Sequence, residues 1–216
     1  LMFNIAKLDL LISIYIFCIV VSEVMGGKTF PIMTIGTFTL NASVAIFVFP
    51  LIYTINDIII EVYGKAKAKS VMRSGLVIIF LILIFSLIAT SLPPSTRFGP
   101  TESAYDTIFG LSARFAFASL LAFAISDLMD IIIFAKIRER FGKKALWLRT
   151  NVSNFVSQLL DTIIFMLLAF YAFDLSFAAN ASFLISLIIP YWLTKCFMSV
   201  IETPLVYLGV NWLKKK

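Results

Sequence analysis

Charged and amide side chains recur at helical spacing inside apolar stretches of the sequence. Asp57 and Glu61 are four residues apart, so a helix places both carboxylates on one face. Two such carboxylates repel each other unless a cation, a proton or a basic side chain lies between them. The pair therefore suits a cationic substrate or proton-coupled movement, whereas Glu61 alone could also be a solvated residue at a helix end.

A second polar pattern follows one face of a later apolar stretch. Arg149, Ser153, Ser157 and Asp161 recur every four residues, and Gln158 lies beside them. A stripe of this kind cannot face lipid, so we predict that it faces the interior of a helix bundle. The serines also suit a second role, because serine commonly joins packed helices in membranes.

Lys195 lies deep in the last apolar stretch and needs an acidic partner. The candidates are Asp57, Asp127, Asp130, Asp161 and Glu202. Carboxylates in the apolar stretches, Glu23 and Glu61 included, outnumber the basic groups Arg114 and Lys195. We therefore expect some of these carboxylates to hold protons in a medium of low dielectric constant.

Composition excludes a water-soluble enzyme or a nucleic-acid-binding protein. Hydrophobic residues make up 61% of the 216 residues and charged residues 14%, against about 45–50% and about 25% in soluble domains. There is no histidine and there are two cysteines, so neither a histidine-based metal site nor a zinc site is expected. We also predict no metal site of another kind and no cofactor. The sequence predicts an all-α integral membrane protein.

Apolar runs bounded by charges or turn residues predict a single transmembrane domain over residues 1–216, with six helices in one bundle. The predicted spans are 8–26, 42–63, 71–92, 112–136, 151–173 and 182–212. Residues 28–41 are too polar and broken for a span, which predicts a re-entrant or capping segment. Pro190 and Pro204 predict a kinked or broken last helix.

The basic residues are distributed unequally between the two sides of this bundle. The loops 64–73 and 136–149 and the tail 214–216 hold most of the 18 Lys and Arg residues, whereas the alternate loops hold Lys28 and Arg97. The positive-inside rule therefore predicts a multi-pass protein with both termini in the cytoplasm.

Two segments carry a resemblance to a known family. Residues 53–68 (YTINDIIIEVYGKAKA) and 147–162 (WLRTNVSNFVSQLLDT) resemble signatures of the queuosine precursor transporter family, also described as the vitamin uptake transporter family. Residues 203–207 (TPLVY) are similar to it as well. The resemblance implies a bacterial inner-membrane importer of 7-deazaguanines, in the nitrile or aminomethyl form or as queuine. It also implies a likeness to the substrate-binding components of energy-coupling-factor vitamin transporters.

A 7-deazaguanine offers a guanine-like edge, from which one carboxylate can accept two hydrogen bonds. Aromatic rings such as Tyr53, Tyr63 and Trp147 can stack on the heterocycle, and which carboxylate reads which edge stays open. The predicted substrate-binding residues are Tyr53, Asn56, Asp57, Glu61, Asp130, Arg149, Ser153, Ser157, Gln158, Asp161 and Lys195.

Two modes of transport fit these observations. In the first, the chain is a self-sufficient secondary transporter driven by protons or by the membrane potential. In the second, it is the substrate-binding subunit of an energy-coupling-factor importer, and small residues such as Ala116, Ala118 and Ala122 contact a coupling subunit. A homodimer is a further arrangement that the sequence allows. No nucleophile–base motif or phosphate-binding Gly-rich loop indicates an enzyme.

Overall fold

A computed structural model describes residues 5–141 and 146–214; some side chains between 130 and 154, and those of 198–203, lie outside that description. In the described part, long α-helices and one two-stranded sheet form the regular structure. The elements are α1 (Lys7–Met25), β1 (Thr29–Ile35), β2 (Phe38–Ser43), α2 (Phe49–Ser91), α3 (Glu102–Phe141), α4 (Leu146–Phe170) and α5 (Phe177–Lys214).

The helices have the length and composition that a bilayer requires. Four helical stretches are long and apolar enough to cross it, and a fifth is apolar but shorter. They are Lys7–Met25, Val44–Ser91, Gly99–Ile133 and Phe177–Phe197, followed by the shorter Phe155–Phe170. In a helix, the backbone N–H and C=O groups bond to one another, so they need no partners from the lipid, which offers none. The predicted all-α integral membrane bundle is therefore confirmed.

Helix α2 changes direction at one glycine. It contains 43 residues, but Gly64 has a φ of 82° and a ψ of 164°, a conformation that is essentially restricted to glycine. Asn56 and Ile79 line the same cavity, although a straight helix would place them about 34 Å apart. The chain therefore turns back at Gly64, between the predicted spans 42–63 and 71–92.

The segment between α1 and α2 is an antiparallel β-hairpin. Its strands are joined by a two-residue turn that begins at Gly36, where φ is 63°, as a type II′ turn requires. The Asn41 side chain donates a hydrogen bond to Ser186 Oγ on α5 at 2.9 Å. Ser43 Oγ donates a hydrogen bond to the Gly26 carbonyl. These bonds hold the end of β2 against the helices.

Arg114 on α3 donates hydrogen bonds to backbone carbonyl groups at the carboxyl end of α4. Its Nε donates to the Leu168 carbonyl at 2.7 Å, and an Nη donates to the Tyr171 carbonyl at 2.6 Å. The last carbonyl groups of a helix lack partners within the helix, and a cation there is electrostatically favourable. This charge within a predicted span therefore joins two helices.

The beginning of α1 and the end of α5 lie at the same end of the bundle. Lys7 Nζ donates a hydrogen bond to the Trp212 carbonyl at 2.8 Å and lies 5.5 Å from the centre of that indole ring. Helix α5 reaches this point because it continues through Pro190 and Pro204; the prolines therefore do not divide it into separate helices.

Candidate functional site

A cavity of about 350 Å³ lies inside the bundle, within the roughly 300–1,000 Å³ that small-molecule sites occupy. Side chains from α1, both halves of α2, α3, α4, α5 and the end of the hairpin form its wall. Most of the wall is apolar or aromatic, with a smaller set of polar groups. This combination can hold a flat, partly polar molecule.

Several residues that the sequence predicts for the site are brought together here from three helices. Those that line the cavity are Tyr53 and Asn56 of α2, Ser157, Gln158 and Asp161 of α4, and Lys195 of α5. The four-residue spacing on α4 therefore does place Ser157 and Asp161 toward the interior. Thr162, next to Asp161, lines the cavity as well.

The strongest polar contact in the cavity is an ion pair between α4 and α5. Lys195 Nζ lies 2.7 Å from Asp161 Oδ2, and it donates a second hydrogen bond to Thr162 Oγ1 at 3.0 Å. The two charged side chains are 11% and 32% exposed. Asp161, one of the five acidic candidates, is thus an ion-pair partner of Lys195; the side chains of two other candidates, Asp130 and Glu202, lie outside the described residues. The pair neutralises both charges inside the membrane domain, as a buried charge requires.

Three tyrosines line the cavity that holds this ion pair: Tyr15 of α1, Tyr53 of α2 and Tyr191 of α5. Tyr53 of α2 has a side-chain hydrogen bond with Lys195 and lies within electrostatic range of Tyr15 and Tyr191. The Tyr191 hydroxyl donates to the Ser43 carbonyl at 3.4 Å. Its ring meets Phe49 edge to face, with 5.4 Å between the ring centres. Aromatic faces and hydroxyl groups are therefore both available to a ligand.

Some residues predicted for the site lie elsewhere. The side chains of Asp57 and Glu61 are described, and neither lines the cavity. Asp57 is half-buried and Glu61 is exposed, as a solvated residue near the turn at Gly64 would be. Tyr63, expected as a stacking ring, is also exposed. The four-residue spacing puts the two carboxylates on one face, but that face does not turn inward.

Other predicted residues belong to the part of the chain whose side chains the structure does not describe. These are Asp130, Arg149 and Ser153 of the predicted site, and Trp147 among the predicted stacking rings. Their roles stay predictions.

The cavity contains a carboxylate that the predicted site did not include. Glu23 of α1 is 6% exposed and lines the cavity. Its Oε1 accepts a hydrogen bond from Ser119 Oγ of α3 at 2.8 Å, and among the described residues its Oε2 has no hydrogen-bond partner. The sequence does show a charged residue, Glu23, inside the first predicted span. It does not show whether that residue is buried or is solvated at the end of the helix.

The small residues of α3 are used within the bundle. Ala116 and Ala118 are completely buried, and Ala122 is almost so. They let α3 approach its neighbours closely, as small residues do in membrane helices. The expectation that these three residues contact a coupling subunit is therefore wrong, because none of them is on the surface.

Fold and cavity together define a helical membrane protein with an internal cavity of the size that small-molecule sites have. A family model described as "Putative vitamin uptake transporter" matches residues 43–209. The chain belongs to this family, which confirms the resemblance in segments 53–68 and 147–162. The matched region begins at the end of the hairpin, so α1 and its Glu23 precede it.

Curated relatives carry a more specific name. The chain is 32% identical over 177 residues to a "Probable queuosine precursor transporter" of Bacillus subtilis, covering 82% of this chain and 75% of that protein. It is 28% identical over 135 residues to a protein of the same name from Haemophilus influenzae, covering 62% and 54%. It is 26% identical over 134 residues to the "Queuosine precursor transporter" of Escherichia coli, covering 62% and 58%. No solved structure matches the chain.

Proposed function

We propose that this protein imports queuosine precursors, which are 7-deazaguanines in the nitrile or aminomethyl form, or queuine. Its family and the names of its curated relatives support a transporter of this class. The observation that carries the proposal is the internal cavity, where Glu23, the Lys195–Asp161 pair and several aromatic rings face one space.

The chemistry of the cavity suits a 7-deazaguanine. The heterocycle is flat, so rings such as Phe49 and Phe115 can pack on its faces. Its guanine-like edge has adjacent N–H donors and a carbonyl acceptor. Carboxylates accept from the donors, and the amides of Asn56 and Gln158 can both donate and accept. A cationic aminomethyl group would be stabilised by a carboxylate.

We place the coupling of transport to an energy source at the ion pair. A change that separates Lys195 from Asp161 would weaken the contact between α4 and α5. Rearrangement of these helices would then open the cavity to one side of the membrane at a time. Protons or the membrane potential would drive uptake through this step.

We further propose that the protein lies in the bacterial inner membrane with both termini in the cytoplasm. The contact between Lys7 and Trp212 supports two termini on one side. The turn at Gly64 supports two crossings within α2, and with one crossing each for α1, α3, α4 and α5 the total is six, an even number. The excess of Lys and Arg in the loops 64–73 and 136–149 selects the cytoplasmic side.

The first test is binding by the purified full chain in detergent. The ligands are the nitrile and aminomethyl deazaguanines, queuine, guanine and several vitamins. A ligand present at about a hundred times its Kd should stabilise the folded state by about 2.7 kcal/mol, seen as a higher melting temperature. If no deazaguanine stabilises folded protein, the proposed substrate class is wrong.

The second test is uptake by liposomes that contain this chain alone. With an imposed proton gradient or membrane potential, we expect the stabilising deazaguanine to accumulate, and empty liposomes to stay at background. Binding without uptake under either gradient would contradict a self-sufficient transporter. This result would indicate that the chain is the substrate-binding subunit of an energy-coupling-factor importer. The next experiment would then test whether a coupling subunit co-purifies with the chain.

A further inference from the structure

The cavity contains two carboxylates, Asp161 and Glu23, which differ in the partners that they bind. Asp161 is already bound to Lys195 at 2.7 Å. Glu23 accepts one hydrogen bond, from Ser119 to Oε1. Its Oε2 is buried and accepts none from the described residues. Of these two carboxylates, Glu23 is thus the one that, among the described residues, has no ion-pair partner and has a buried oxygen without a hydrogen bond.

A buried oxygen without a hydrogen bond costs free energy, so such an atom in a folded protein calls for an explanation. Here the oxygen belongs to a residue that lines the cavity and is 6% exposed. A ligand that donates to Oε2 would supply the missing partner.

Geometry indicates what kind of donor fits. A carboxylate has two acceptor oxygens side by side in one plane, and each can accept more than one hydrogen bond. It pairs best with two adjacent N–H groups held in one plane, as it does with the guanidinium of arginine. In a 7-deazaguanine, the ring N1–H and the exocyclic 2-amino group form such a pair.

We infer that Glu23 is the specificity-determining residue of this site and binds the N1–H and 2-amino edge of the substrate, while Ser119 orients its carboxylate. This inference rests on the proposed function. It assigns to the site the class of heterocycles that carry a ring N–H beside an exocyclic amine. A 7-deazahypoxanthine lacks the 2-amino group, and a 7-deazaadenine lacks both the N1–H and the 2-amino group, so both should be rejected.

Selectivity of this kind can be large, because a rejected analogue leaves a buried polar group without a partner. Sites that hydrogen-bond a substrate group reject analogues lacking it by factors of about 10⁴–10⁵ in favourable cases. Glu23 keeps its bond from Ser119, so we expect a smaller factor here. Wild-type protein should bind 7-deazaguanine at least about tenfold more tightly than 7-deazahypoxanthine.

The test titrates 7-deazaguanine and 7-deazahypoxanthine into the purified full chain in detergent and measures Kd for each. Glu23→Gln keeps the size of the side chain and a carbonyl oxygen, but its NH₂ group would face the donors of the substrate. We expect Glu23→Gln to bind 7-deazaguanine at least about tenfold more weakly and to lose most of its preference over 7-deazahypoxanthine. Asp9→Asn is the matched control, since Asp9 is an exposed carboxylate on the same helix.

A melting curve of each variant shows whether it is folded. If Glu23→Gln does not fold, Glu23→Asp carries the test; it keeps the charge but shortens the reach, so affinity should fall while the preference for the amine persists. Wild-type affinity and preference in a folded Glu23→Gln, or unchanged affinity in Glu23→Asp, would overturn the inference. A wild-type protein that binds no deazaguanine at all would instead refute the proposed function, and the role of Glu23 with it.

Discussion

At the scale of single residues, the site is defined by how its charges are neutralised. Lys195 is almost buried and depends on Asp161, which lies 2.7 Å away and is about one-third exposed. Removing one partner of a buried pair leaves the other charge uncompensated, which costs more than the pair contributes as a whole. The same contact joins α4 to α5, so we expect it to affect both the stability of the protein and the proposed transport.

Asp161→Asn should therefore destabilise the protein, because it leaves the Lys195 ammonium group with a neutral acceptor. We expect the free energy of unfolding to fall by about 1–3 kcal/mol, less than the roughly 3–5 kcal/mol for fully buried pairs, because Asp161 is 32% exposed. Thermal denaturation in detergent measures this change. Uptake in liposomes should be lost.

The control for this prediction is the double variant Asp161→Asn/Lys195→Met. It removes both charges, so we expect it to recover much of the lost stability while uptake stays absent. Full uptake by a stably folded Asp161→Asn protein would show that the ion pair has no part in transport.

At the scale of secondary-structure elements, Gly64 determines the course of the longest helix, α2. An unbroken α2 of 43 residues would be about 65 Å long, roughly twice the thickness of the hydrocarbon core. The turn at Gly64 instead brings Tyr53 and Asn56 of the first half opposite Met72 and Ile79 of the second. The cavity depends on this turn, since both halves contribute to its wall.

Gly64→Ala should destabilise the fold even though nothing lies within 4 Å of the added methyl group. The φ of 82° and ψ of 164° cost a residue with a side chain about 1–3 kcal/mol. Gly110→Ala is the matched control, because Gly110 also has open space around it but lies within α3. There alanine should stabilise by up to about 1 kcal/mol. Equal melting temperatures for the two variants would contradict the strained turn.

At the scale of the whole molecule, charge and chain direction predict how the bundle lies in the membrane. Lys7 and Trp212 bring the two ends of the chain together. The hairpin follows the opposite end of α1 and packs against α5 through Asn41. If α1 crosses the membrane once, the hairpin and the termini lie on opposite sides.

Cysteine labelling in intact cells tests this arrangement. Thr37 in the hairpin turn and Lys69 after the turn of α2 are both exposed. With a membrane-impermeant maleimide, we expect Thr37→Cys to react from outside and Lys69→Cys to react only after the cells are opened. The unsubstituted protein gives the background, since Cys18 is buried and Cys196 half-buried. Reversed labelling would place the termini outside the cytoplasm.

The sequence by itself was enough to predict a helical membrane protein, its family and part of its site. Hydropathy determines which segments prefer lipid, and helical spacing determines which residues share a face. The polar face of α4 could be predicted for that reason, since Ser157, Gln158 and Asp161 line the cavity. Lys195 could be predicted to need an acidic partner because a charge in lipid is costly.

Only the tertiary structure decided which faces meet. Periodicity along one helix contains no information about the neighbouring helix, so five carboxylates were equivalent partners for Lys195 until α4 and α5 were placed. For the same reason Asp57 and Glu61 share a face that does not line the cavity, whereas Glu23 lies inside it. Whether a charge near a helix end is solvated or buried depends on what packs against it, and for Glu23 the side chain packed there is Ser119 of α3.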